Sequence, residues 1–228
     1  MALVPLLLNI ATSHLLAQSV DARWMERETP HFRFVFNEAD RDAAVALIAD
    51  AETAYEKVTR FYGVYPEKIL CILRSDTPFA NGAFSPISPH IEIVTSAPSF
   101  PWLGASTESW LRSVFLHELA HFVQLSAEYG LFGSIAKLLG PSIATLPGAF
   151  LPGWMIEGPA VFAETRFSEG GRGRNAFFEI QARALILEDE LFTLRQAAHL
   201  SDFPPPGRIY LAGYLLVDHL IREYGEEV

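Results

Sequence analysis

One stretch limits the fold more than any other. Residues 107–129 read as a helix, with Ser106 or Thr107 as its cap and Gly130 as its stop. Phe115, Leu116, Leu119, Phe122 and Val123 bury much of its surface, yet His117, Glu118 and His121 sit among them. Polar groups in such a setting are costly unless something satisfies them. Histidines four residues apart lie slightly more than one turn apart, so both imidazoles leave one face. Two ring nitrogens on one face can meet a single tetrahedral zinc ion. Glu118, beside the first histidine, is placed to accept a proton from water held there.

The rest of the chain supplies what this helix packs against. Residues 31–36 (HFRFVF) alternate as a strand does. From 39 to 62, Ala44, Ile48, Ala51, Tyr55, Val58 and Tyr62 recur at helical spacing, and Gly63 stops the helix. Residues 69–73 form a short buried strand, 75–89 a loop rich in Pro, Ser, Gly and Asn, and 90–95 (HIEIVT) a third strand. Further helices are expected near 153–167, 176–189 and 208–224. Strands first and helices second argue for an α+β fold, a small mixed sheet followed by a mostly helical part. The 228 residues suit one ordinary domain or two small ones and contain no solenoid-like repeat. Half of them are hydrophobic, which excludes disorder, and the lone Cys71 excludes an intrachain disulfide or a cysteine-built zinc site. A net charge of -10, with Lys57, Lys68 and Lys137 as the only lysines, excludes a nucleic-acid partner.

Downstream lies a second motif, from Pro152 through Trp154, Glu157, Gly158 and Ala160 to Glu164. The pair HELAH and W-x-x-E-G-x-A-x-x-x-E resembles the gluzincin metallopeptidases, the thermolysin-like and aminopeptidase N-like clan. That resemblance implies a zincin catalytic domain with one Zn²⁺ per chain, held by His117, His121 and Glu157. It implies peptide-bond hydrolysis by a zinc-activated water with Glu118 as general base. His121 and Glu157 are 36 residues apart, longer than the aminopeptidase N spacing. The apolar insert between them, and the run Gly170-Gly171-Arg172-Gly173-Arg174-Asn175, are similar to the peptidase-MA-like domains that precede TolB-type β-propellers in bacterial exported proteins. The likeness covers roughly residues 28–226. Tyr210-x-x-Gly213 is similar to the pattern around the clan's transition-state tyrosine, whose phenol donates to an oxyanion; Tyr214, one turn on, is the fallback. Glu164, two turns after Glu157, is either a partner for the free ring N–H of a ligand histidine or an exposed acid. Pro159 departs from the family, removes a backbone donor and threatens to kink the helix next to Glu157. The aminopeptidase motif G-A-M-E-N is absent, and Asn81-Gly82-Ala83 is not that motif.

Residues 1–17 carry no Asp, Glu, Lys or Arg, in an apolar run interrupted by Pro5, Asn9 and His14, and the segment 1–19 is an export signal or a buried N-terminal helix. The signal reading places the protein outside the cytoplasm, periplasmic or secreted. The stop at Gly225, with only EEV beyond, suggests a longer parent that continues into a propeller. The insert 131–151 is a cleft wall, a docking surface for such a domain, or a membrane contact; Pro141, Pro147 and Pro152 argue against a spanning helix. The expected partner is a peptide or protein substrate, and the strand at 90–95 is expected to form the cleft edge along which it lies. The rival reading is a zinc-binding but catalytically silent docking or peptide-binding module, which Pro159 and the apparent truncation favour.

Overall fold

Alternating aromatic residues build the sheet. A computed structural model describes residues 23–77, 81–96, 110–127, 140–143, 145–199 and 207–226. In β2 (Phe32–Asn37), Phe32, Phe34 and Phe36 all point to one buried face. Burying each stabilises the fold by about 1.5–3 kcal/mol. β1 (Trp24–Glu28) pairs antiparallel with β2. β3 (Ile69–Arg74) pairs parallel with β2, and β5 (His90–Val94) pairs parallel with β3. β4 (Gly82–Ser85) closes the far edge, antiparallel to β5. The order is therefore β1-β2-β3-β5-β4.

Two of these strands differ from the sequence expectation. β4 lies inside the stretch expected to be a loop, and it, not the strand at 90–94, forms the sheet edge. Four residues flanked by turn formers carry too little periodicity to be read locally; pairing with β5 makes them a strand. β1 is largely exposed and polar, and its pairing with β2 places it.

Helix α1 (Arg41–Tyr62) connects β2 to β3 and ends at Gly63, whose φ of 65° places it in the left-handed region that glycine tolerates. Its apolar stripe, Ala44, Leu47, Ala51, Tyr55 and Val58, packs on the sheet. Helix α2 (Trp110–Leu125) carries the HELAH motif across the same layer. Phe115 of α2 meets Phe32 at 5.5 Å between ring centroids, and Phe122 meets Phe84 of β4 at 5.4 Å. The aromatic contacts at both ends thus lay α2 across the sheet toward its β4 edge.

The second half is helical: α3 (Gly153–Phe167), α4 (Ala176–Leu187), α5 (Leu194–Ala197) and α6 (Arg208–Tyr224). α3 packs against both α2 and α6. A smaller cluster of Val161, Phe178, Ala182 and Leu211 joins α3, α4 and α6. The architecture is α+β, a five-stranded sheet followed by a mostly helical remainder. No helix among the described residues is long and apolar enough to cross a membrane. The segment 1–19, the expected cap at Ser106 or Thr107, Gly130 and much of the insert 131–151 lie outside the described residues.

Candidate metal centre

α2 and α3 together bring three ligand-type atoms to one point. His117 Nε2 lies 3.0 Å from His121 Nε2 and 3.2 Å from Glu157 Oε2. His121 Nε2 lies 3.3 Å from the same carboxylate oxygen. Both histidines are buried, and Glu157 is partly so. Two imidazole nitrogens and a carboxylate oxygen, all within 4.8 Å of one another, form a donor set that suits zinc. These residues fit such an ion on chemistry as well as on position.

A carboxylate able to accept from Nδ1 stands behind His117. Glu164 Oε2 lies 3.0 Å from His117 Nδ1, and its side chain is almost fully buried. An N–H donated from Nδ1 leaves the Nε2 lone pair free. Glu164 is therefore not the exposed acid that was one of its two expected fates. The other ligand histidine differs: His121 Nδ1 is buried with no partner among the described residues.

Arg172 is the residue the sequence reading did not assign. Its Nε and Nη2 each bond Glu164 at 2.8 Å, and its backbone N–H donates to the same carboxylate at 2.8 Å. Nη2 also lies 2.7 Å from His117 Nδ1, and the guanidinium carbon sits 4.7 Å from the centre of the Tyr210 ring. Glycines deliver it. Gly171 has φ 83°, and a side chain at Gly173 would strike Tyr214, its Cβ falling 2.4 Å from Cζ. An arginine flanked by glycines on both sides was the available signal.

Tyr210 lines the cleft, with its ring centroid 6.3 Å from that of His117. Tyr214 does not: it packs under Gly173 and beside Phe178, at 6.2 Å between ring centroids, in the smaller apolar cluster. Tyr214, the fallback, stands one turn further along α6 and is not among the residues that line the cleft. Two glycines set where Tyr210 falls. A Cβ on Gly158 would lie 2.5 Å from the Gly213 carbonyl carbon, and one on Gly213 would lie 2.8 Å from the Trp154 oxygen. The α3 and α6 backbones touch there, which holds Tyr210 of α6 close to Glu157 of α3.

Glu118 lies against the sheet edge. A Cβ on Gly82 of β4 would fall 2.8 Å from Glu118 Oε1, so the strand backbone passes directly over the carboxylate. The cleft has a volume of about 300 Å³. Besides His117, Glu118, His121, Glu157 and Tyr210, its walls are Gly82, Ala83, Phe84, Pro86, Leu125 and Ile156. Pro159, expected to threaten Glu157, lies inside an unbroken α3, and Glu157 reaches both histidines.

Charges in this group perturb one another. Burial and the Arg172 charge push His117 down, but the Glu157 and Glu164 carboxylates outweigh them and hold it up at about 9. Burial alone would raise Glu157 and Glu164. Hydrogen bonds from the two histidines instead draw Glu157 well below the carboxylate range, and Arg172 draws Glu164 down to about 2. Burial would lower Arg172, but Glu164 keeps it firmly charged. Burial, followed by the Glu157 charge, pushes Tyr210 up to about 12, so the phenol is a donor across the neutral range.

No family model matches this chain. No curated protein matches it. Among solved structures the fold is similar to that of native yeast LTA4 hydrolase, with a TM-score of 0.50 and 16% sequence identity. The match covers 90% of this chain and 31% of the yeast chain, so this chain spans under a third of that protein's length. At such identity the likeness is one of fold.

Proposed function

We propose that the chain is a zinc metallopeptidase in which His117, His121 and Glu157 hold one Zn²⁺. The observation that carries the reading is the convergence of His117 Nε2, His121 Nε2 and Glu157 Oε2, with Glu118 and Tyr210 lining the same cleft. The gluzincin-like motifs support it, as does a fold shared with a yeast hydrolase. Bound there, zinc supplies Lewis acidity toward a carbonyl oxygen and makes water a stronger acid at neutral pH. Glu118 takes the proton of the attacking water on its carboxylate and returns it to the leaving amine nitrogen. Tyr210, held protonated, donates its phenolic hydrogen to the oxygen that gains charge as the carbonyl becomes tetrahedral. Glu164 accepts the Nδ1 proton of His117 and so fixes that ring. β4, the exposed edge beside Glu118, offers backbone groups to an extended peptide or protein substrate. An extracytoplasmic location, on the signal-like first residues and the resemblance, and a β-propeller partner, on the resemblance alone, complete the proposal.

One argument for the silent-module reading was that Pro159 displaces Glu157; α3 runs unbroken through Pro159, which favours the enzyme reading. The test is metal analysis of the purified chain together with mapping of cuts in a diverse peptide mixture, run beside Glu118→Gln. We expect one zinc per chain in both proteins and cuts only with the unaltered one. One zinc and no cuts in either protein would leave the silent module in its place.

A further inference from the structure

Proline at 159 removes the backbone N–H that would bond the Met155 carbonyl, one helical turn back. The Met155 carbonyl instead has a donor from another helix: Gln124 Nε2 reaches it at 2.8 Å. A carbonyl only accepts, so the amide is turned with its nitrogen on Met155. Its Oε1 is then buried with no partner among the described residues. Burying an unsatisfied oxygen is unfavourable, so the bond to Met155 dominates the orientation of this side chain.

The position of the bond gives it meaning. Gln124 lies three residues beyond His121 on α2, and Met155 lies two before Glu157 on α3. The bond joins the two ligand-bearing helices within a turn of the ligands themselves. The buried packing between these helices involves apolar residues such as Leu116, Ala120, Ala160 and Ala163. Apolar contact is non-directional and leaves small sliding motions cheap, whereas a hydrogen bond fixes one register.

We propose that Gln124 and Pro159 work as a pair. The proline frees the Met155 carbonyl from its own helix, and Gln124 uses that carbonyl to hold Glu157 at its distance from His117 and His121. The proposal rests on the metal reading above. Gln124 is a positioning residue, acting on Glu157 through the α3 backbone.

A double-mutant cycle tests it. Gln124→Met keeps length and bulk but loses the donor; Pro159→Ala gives α3 back its own N–H. Zinc affinity is measured by competition with a chelator, and urea unfolding is followed on the metal-free proteins. Gln124→Met alone is expected to weaken zinc binding about tenfold, within the range for groups that orient ligands. In the Pro159→Ala background the same change should weaken it less than about threefold, because the restored backbone N–H now serves Met155. The urea midpoint should show the same coupling. A lowered urea midpoint with unchanged zinc affinity means the bond is only structural and overturns the proposal. Equal zinc loss in both backgrounds overturns the pairing of Gln124 with Pro159. If the unaltered chain binds no zinc, the metal reading itself fails, and the proposal falls with it for a different and visible reason.

Discussion

The contact between α3 and α6 yields the sharpest prediction. Gly158 directly follows Glu157, and a methyl added there would meet Gly213 at 2.5 Å from its carbonyl carbon, 2.6 Å from its oxygen and 2.8 Å from its Cα. Ordinary contact between such atoms needs about 3.5 Å. Both sides are backbone, so no side chain can swing away, and the helices must part by about 1 Å at this point. Overpacking of this kind costs about 1–3 kcal/mol. For a chain of this size that corresponds to a fall in Tm of about 2–12 °C. The same displacement separates Glu157 from Tyr210, which stand on opposite sides of the contact. We therefore expect Gly158→Ala to weaken zinc about tenfold or more. Turnover of a cleaved peptide should fall further, by about a hundredfold, because a misplacement of 1 Å costs that much. Gly213→Ala fills the same gap, so the double variant should lose much less than the sum of the two singles. The assays are thermal unfolding of the metal-free protein, chelator competition and peptide turnover. A Gly158→Ala protein with parental Tm, zinc affinity and turnover would refute the reasoning.

Other outcomes follow from neighbouring contacts. Gly82→Ala places its Cβ 2.4 Å from Val114 Cγ2 and 2.9 Å from Glu118 Cγ, so turnover should drop at least about tenfold, with zinc content, read by metal analysis, unchanged. Arg172→Met leaves the Glu164 carboxylate buried without its cation, and urea unfolding should register a loss of about 3–5 kcal/mol. Adding Glu164→Gln to that variant should restore part of the loss. Without metal, the two carboxylates hold a proton on His117 up to about pH 9, and that proton competes with zinc for Nε2. Zinc affinity should therefore rise with pH through the neutral range, by about tenfold per pH unit, in competition titrations. The sign also holds for stability: the His117 contribution to the metal-free fold is complete below its unfolded pKa of 6.5 and is lost as pH rises toward 9.

What the sequence disclosed depended on how local the cause was. The α1, α2, α3, α4 and α6 helices were legible because apolar residues recur at helical spacing and glycines stop α1 and α6. His117 and His121 share a face by helix geometry alone, whereas Glu157 joins them only because α3 crosses α2. β4 was hidden because nothing within Gly82-Ala83-Phe84-Ser85 alternates, and its partner β5 supplies the reason it is a strand. Tyr210 and Tyr214 are one turn apart on one helix and equally aromatic. Gly173 and Phe178, from a different part of the chain, decide which of the two is turned from the cleft. Arg172 was hidden for a similar reason, since arginine is ordinarily solvated and it is the buried Glu164 that draws it partly out of solvent here.

Charge balance gives a reason, independent of motif, for a divalent cation at this place. The group contains three carboxylates, Glu118, Glu157 and Glu164, and one fixed cation, Arg172. Arg172 is spent on Glu164, with which it makes a bidentate pair. Glu118 and Glu157 then face the cleft beside His117, His121 and Tyr210. Two negative charges in partly desolvated surroundings repel each other and favour whatever positive charge can reach them. A raised His117 is the protein's own partial answer, one proton where two positive charges are wanted. A dication at the point where Nε2, Nε2 and Oε2 converge answers fully, and it does so by displacing that proton from His117. The Glu164–Arg172 pair meanwhile orients His117 and supports the Tyr210 ring.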